Sequence, residues 1–69
     1  MHPDWIGTDL ARIESVSGAR VAFVTRFGDG MLPTPTTVLQ QNDLLHMIVL
    51  ADDVPGVERI LNATPPEVD

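Results

Sequence analysis

The stretch Arg20-Val21-Ala22-Phe23-Val24-Thr25-Arg26, running into Phe27-Gly28-Asp29-Gly30, decides the fold. It is answered downstream by Leu44-Leu45-His46-Met47-Ile48-Val49-Leu50. Both runs are short, apolar and rich in β-branched or large side chains, and both are bounded by turn residues. That pattern predicts strands buried on both faces, neighbours in one small sheet, over 20–26 and 44–50. On the first strand Val21, Phe23 and Thr25 fall on one face, Ala22 and Val24 on the other. Between the strands, Gly28 and Gly30 are expected to supply the positive φ angles of a tight hairpin, with Asp29 tolerant of the same region. Met31-Leu32-Pro33 then reads as a short edge strand near 31–33, since proline is tolerated in a sheet only at an edge.

Working outward, the segment before the first strand predicts a short helix over 8–17. Thr8 caps it, Asp9 sits in its positive first turn, and Leu10, Ile13 and Val16 recur at helical spacing. Arg12 and Glu14 turn outward, and Gly18 closes the helix as a left-handed residue. His2-Pro3-Asp4-Trp5 is expected to be extended because Pro3 disfavours helix in the residue before it. Trp5, the single tryptophan, is expected in the core; the alternative is an exposed stacking role.

After the hairpin, Thr34-Pro35-Thr36-Thr37 is a loop. Val38 and Leu39 should tuck it onto the core, and Gln40-Gln41-Asn42-Asp43 is a turn with Asn42 left-handed. A second helix is expected over 53–62, capped by Asp52 or Asp53, with Pro55 in its first turn and Val54, Val57, Ile60 and Leu61 as its apolar stripe. Residues 65–69 read as a disordered acidic tail behind a domain spanning 1–64. The order of elements predicts an α+β fold, a small open β-sheet with two short helices packed on it.

Composition bounds what such a fold can do. The chain has 69 residues, 43% of them hydrophobic, which leaves room for one globular domain. A core of that size is marginal, and without cysteine there are neither disulfides nor Cys-ligated zinc to reinforce it; pairing with a second copy is the remaining common remedy. Ten acids against four arginines give a net charge of −6, which argues against nucleic acid and anionic membrane surfaces as partners. The longest apolar run falls far short of a membrane span, and Met1-His2-Pro3-Asp4 does not begin a secretory signal.

Catalytic and metal patterns are weak. Ser15 and Ser17 lie at a helix end, where capping explains them better than nucleophilic chemistry. His2 and His46 lack a metal-ligand spacing, and His46, inside an apolar strand, reads as a hydrogen-bonded structural histidine. Asp52-Asp53 reads as a helix cap in preference to a cation site. Gly28-Asp29-Gly30 is too short for a phosphate-binding fingerprint. The residues themselves point away from an enzyme.

Taken together they carry a family resemblance. Trp5-Ile6-Gly7, a helix, Gly18-Ala19-Arg20-Val21 through Arg26-Phe27-Gly28, Leu32-Pro33-Thr34-Pro35-Thr36-Thr37-Val38-Leu39-Gln40 and Asn42-Asp43-Leu44-Leu45 follow a recognisable order and spacing. They resemble the C-terminal half of RCK (regulator of potassium conductance) proteins, with the nearest likeness to actinobacterial TrkA-type potassium uptake regulators. The likeness runs from about Trp5 to Leu61. It implies a cytoplasmic, non-catalytic regulatory domain that forms homodimers, senses a ligand at the pair interface and passes its occupancy to a membrane potassium transporter. Ile13 and Pro33 match apolar lining positions of that ligand pocket.

No cofactor is implied in this chain itself, because NAD or ATP would bind an N-terminal RCK half that, like the family's first strand, the sequence lacks. Cyclic di-AMP is a nucleotide ligand of some relatives, which tend to carry arginine near the position of Glu14. A carboxylate there repels phosphate by about 1 kcal/mol, so the expectation is weak or absent binding. Two alternatives stand beside this reading: a ligand-free structural dimerisation domain, and the same regulatory domain attached to a cation/proton antiporter.

Overall fold

The computed structural model describes residues 1–66, so Glu67, Val68 and Asp69 of the expected acidic tail lie outside the described residues. After a 3-10 turn at Pro3–Trp5 come α1 (Leu10–Ser17), β1 (Arg20–Arg26), β2 (Asp29–Met31), β3 (Leu44–Ile48), a second 3-10 turn at Ala51–Asp53, and α2 (Val54–Asn62). The fold is α+β, with an antiparallel sheet ordered β2-β1-β3.

β1 occupies the centre because it is the longest strand and pairs with both others. Val21 pairs with Met47 and Phe23 with His46, so Ala22 is an extra residue, a bulge in the ladder. The bulge resets the alternation and brings Val21 and Val24 to the same face, where both are buried. Phe23 and Thr25 stay opposite, as strict alternation requires of residues flanking Val24.

Both helices lie against that one face. Trp5, Leu10, Ile13, Ala19, Val21, Val24, Leu39, Val57 and Leu61 form a single core, and Trp5, Leu10, Ile13 and Val24 are completely enclosed. Each such side chain contributes roughly 1.5–3 kcal/mol of burial. The expectation of strands buried on both faces is therefore corrected: two short helices are enough to cover one side of the sheet, and the other side stays open.

Local chemistry explains the helix ends. Asp9, not Thr8, caps α1, its carboxylate accepting from the Arg12 N–H at 2.8 Å. Thr8 is unavailable as a cap because it bridges to the loop, its carbonyl accepting from the Leu39 N–H at 2.9 Å. Gly18 closes the helix at φ 78, as expected. α2 starts at Val54 without a side-chain cap, so neither Asp52 nor Asp53 caps it. The preceding 3-10 turn takes that role, with the Asp53 N–H donating to the Leu50 carbonyl at 2.8 Å.

The hairpin differs in phase from the sequence expectation. Its loop is Phe27-Gly28, at φ 52 and 81, and Arg26 pairs directly with Asp29. Gly30 sits in β2 with no positive φ. This register sets Met31 opposite Val24, on the side where Met31 packs against the core, and β2 therefore spans 29–31 instead of 31–33. β3 stops at Ile48, two residues earlier than expected. Ile48 already faces Arg20, the first residue of β1, so Val49 and Leu50 have no strand to pair with.

Two loop expectations also change. His2 is extended, but Pro3 opens a 3-10 turn, since a missing N–H is harmless at a first helical position. In the 34–39 loop Leu39 is buried, whereas Val38 points to solvent beside its bridge to Asp9. Asn42 takes the left-handed conformation at φ 71, as expected.

Candidate functional site

The described residues contain no cluster of three or more His, Cys, Asp or Glu side chains able to hold a metal ion. Ser17 is buried, and its hydroxyl donates back to the Ile13 carbonyl at 2.7 Å while accepting from the Ala19 N–H. It is a helix-end group, as its sequence context implied. The surfaces with recognition character are the open face of the sheet and the free side of β3.

On the open face, the rings of Phe23 and His46 stack at 3.9 Å between centroids, with 10° between their planes. His46 Nε2 lies 2.9 Å from Thr25 Oγ1. The structural reading of His46 therefore holds, with the addition that it stands on the solvent side of the sheet. Leu44 and Ile48 flank it, 61% and 65% exposed. Cross-strand pairing creates this group: Phe23 faces His46 and Thr25 faces Leu44, although they are some twenty positions apart in the chain.

A polar clamp fixes the end of β1 to the start of β3. Arg26 donates through Nε and Nη2 to the two carboxylate oxygens of Asp43, at 2.9 and 2.7 Å, and through Nη2 to the Val38 carbonyl. Asp43 also accepts from the Gln40 N–H, and its side chain is 1% exposed. The bond from Arg26 holds the Asp43 carboxyl below its usual range, against an opposing push from burial. Fork-to-fork pairing of this kind is geometrically demanding, so the clamp positions the 38–43 turn against the sheet. The pair was invisible in sequence. Opposite charges at the end of one strand and the start of another are its signal, readable only once β1 and β3 are paired in register.

A groove of about 550 Å³ runs between β3 and α2, lined by Leu45, Met47, Val49, Val54, Val57 and Leu61, with Glu58 and Asp43 among its polar groups. The two residues expected to line a ligand pocket lie elsewhere. Ile13 is wholly enclosed in the core, and Pro33 is half-buried in the loop after β2. Neither lines this groove or the two smaller concavities beside it. Glu14 does not simply face solvent. Its carboxylate accepts from the Val21 N–H at 2.8 Å, at a point beyond the last β1–β2 pair. Arg12 likewise turns to the chain, donating to the Pro66 carbonyl at 2.7 Å.

Over 63 residues the chain is 43% identical to the Trk system potassium uptake protein TrkA of Streptomyces coelicolor. The chain is similar to TrkA. The match takes in 91% of this chain, which spans about 28% of that protein's length. No family model matches the chain, and no solved structure matches it. No described helix is long and apolar enough to cross a membrane.

Proposed function

We propose that the chain is a regulatory module of a potassium uptake system, a cytoplasmic domain that pairs with a second copy and biases a membrane potassium transporter. The observation that carries this reading is the 43% identity to TrkA along nearly the whole chain. The fold is compatible with it: one face of the sheet is packed and the other carries apolar residues in solvent, which suits an assembly element more than a reaction site. A module of this kind regulates by binding two arrangements of a partner with different affinity, and no bond-making step is required of it.

The test is transport. Deleting the gene that encodes the chain is expected to lower rubidium uptake severalfold at low external potassium, with restoration by a plasmid copy. Uptake that does not change overturns the reading.

Ligand sensing belongs to the same proposal, with NAD or ATP held by a nucleotide-binding partner half and Ile13 and Pro33 as apolar lining positions. A ligand can reach the Ile13 side chain only through rearrangement of the core. With Glu14 beside β1, cyclic di-AMP binding is expected to be weak or absent in calorimetry, and submicromolar affinity would contradict that. The enclosure of Ile13 favours one second reading, a ligand-free dimerisation domain. That reading expects no nucleotide to raise the melting temperature, whereas a sensor gains RT ln(1 + [L]/Kd) in stability.

A further inference from the structure

The two edges of the sheet are protected very differently. β2 is three residues long, carries Asp29 and Gly30, and is followed at once by Leu32-Pro33. Short length, charge and a nearby proline are how natural sheets keep an edge from pairing. β3 has none of these devices. From Leu44 to Ala51 the chain contains no acidic or basic residue other than His46, no proline and no glycine. The His46 ring leans toward β1, held against Phe23 and Thr25, and so does not guard the outer side. Among the described residues no backbone hydrogen bond reaches β3 from any element but β1. In a chain of net charge −6, an uncharged edge of this length is conspicuous.

We infer that β3 pairs antiparallel with β3 of a second copy of this chain, about a twofold axis at His46. This deepens the proposed pairing by assigning its surface. The register is self-complementary: with His46 opposite the partner's His46, Leu45 falls opposite the partner's Met47, and Leu44 opposite the partner's Ile48. Side chains on each face then meet their own kind. Leu44 and Ile48, exposed in a single copy, adjoin their counterparts on the outer face, and Leu45 and Met47 do so along the mouth of the β3–α2 groove. The sheet becomes six-stranded with the guarded β2 strands at its two ends. A small core without disulfides gains stability from the same event.

The experiment joins two readouts on the full chain. By light scattering at about 100 μM, the wild type is expected to be a dimer and Ile48→Lys a monomer with an unchanged circular dichroism spectrum, because Lys on an edge strand opposes pairing while position 48 is outside the core. The native chain has no cysteine, so a His46→Cys variant is expected to form a disulfide-linked dimer on mild oxidation, and a Thr36→Cys variant in the remote loop is not. A wild type that stays monomeric overturns both this inference and the pairing in the proposed function. A wild-type dimer that survives Ile48→Lys, or that does not cross-link through position 46, leaves pairing intact and overturns its placement on β3. If Ile48→Lys does not fold, cross-linking at position 46 decides alone.

Discussion

On the inner face of the sheet Val21 and Val24 meet Leu10, Ile13 and Trp5 and are shut away from water; on the outer face Phe23, Leu44 and Ile48 remain in contact with it. The residue types are similar and the strands are the same. What separates the two faces is the position of the helices, together with the bulge at Ala22 that turns Val21 and Val24 to one side. Hydrophobicity alone therefore did not assign burial here. On the outer face Leu44 and Ile48 stay largely in water, and exposed apolar residues of this kind can serve an assembly.

Substitutions on the two faces should differ by an order of magnitude in cost. Trp5 is fully enclosed, and its indole N–H donates to the Ala63 carbonyl at 2.9 Å. Trp5→Ala is expected to cost about 4 kcal/mol, enough to unfold so small a domain, as thermal denaturation followed by circular dichroism would reveal. A cooperative transition at the wild-type temperature would mean that the inner face is not the core.

The clamp at the sheet's end comes next. Asp43→Asn should lose about 2 kcal/mol in urea titration, since the amide keeps one acceptor oxygen and turns an N–H donor toward Arg26 in place of the other. Its pH dependence has a definite sign. The Asp43 carboxyl titrates below its ordinary value of 3.8 in the folded chain, because Arg26 favours the ionised form. Its contribution is thus complete above that value and disappears as pH falls through the depressed one. Acid unfolding of the wild type should steepen below about pH 4, and Asp43→Asn should flatten that limb. Parallel curves for the two proteins would remove the clamp from the account.

A smaller effect of opposite sign is expected at the hairpin. Phe27 holds φ 52 and is 89% exposed, so a bulky residue bears a left-handed conformation with no packing in return. Phe27→Asn creates an Asn-Gly turn and should stabilise the chain by roughly 1 kcal/mol in the same titration. Smallest of all, Leu44→Thr on the outer face should change the stability of the dilute chain by less than about 0.5 kcal/mol. A large loss there in dilute solution would show that the outer face contributes to the single copy after all.

Much of this architecture was legible in the sequence where local backbone demands were decisive. Gly18 and Asn42 marked left-handed positions, and the β-branched run 20–26 marked the central strand to the residue. Other features depended on partners. The hairpin's phase followed from placing Met31 opposite Val24, and the stop of β3 at Ile48 from the start of β1 at Arg20. Thr8 failed as a helix cap because the 37–39 loop claimed its backbone. The candidate site was the least legible part, since the Phe23–Thr25–His46 group and the Arg26–Asp43 clamp exist only after strand pairing.

The sequence by itself determined the order of helix, central strand, later strand and second helix and the left-handed positions at Gly18 and Asn42, because those choices are made by side-chain periodicity and φ preferences within a few residues. Only the tertiary structure decided which face of the sheet is covered, which edge lies open and where Ile13, Pro33 and Glu14 end up. Those outcomes depend on pairing register and helix placement, which bring together residues that a linear pattern keeps apart.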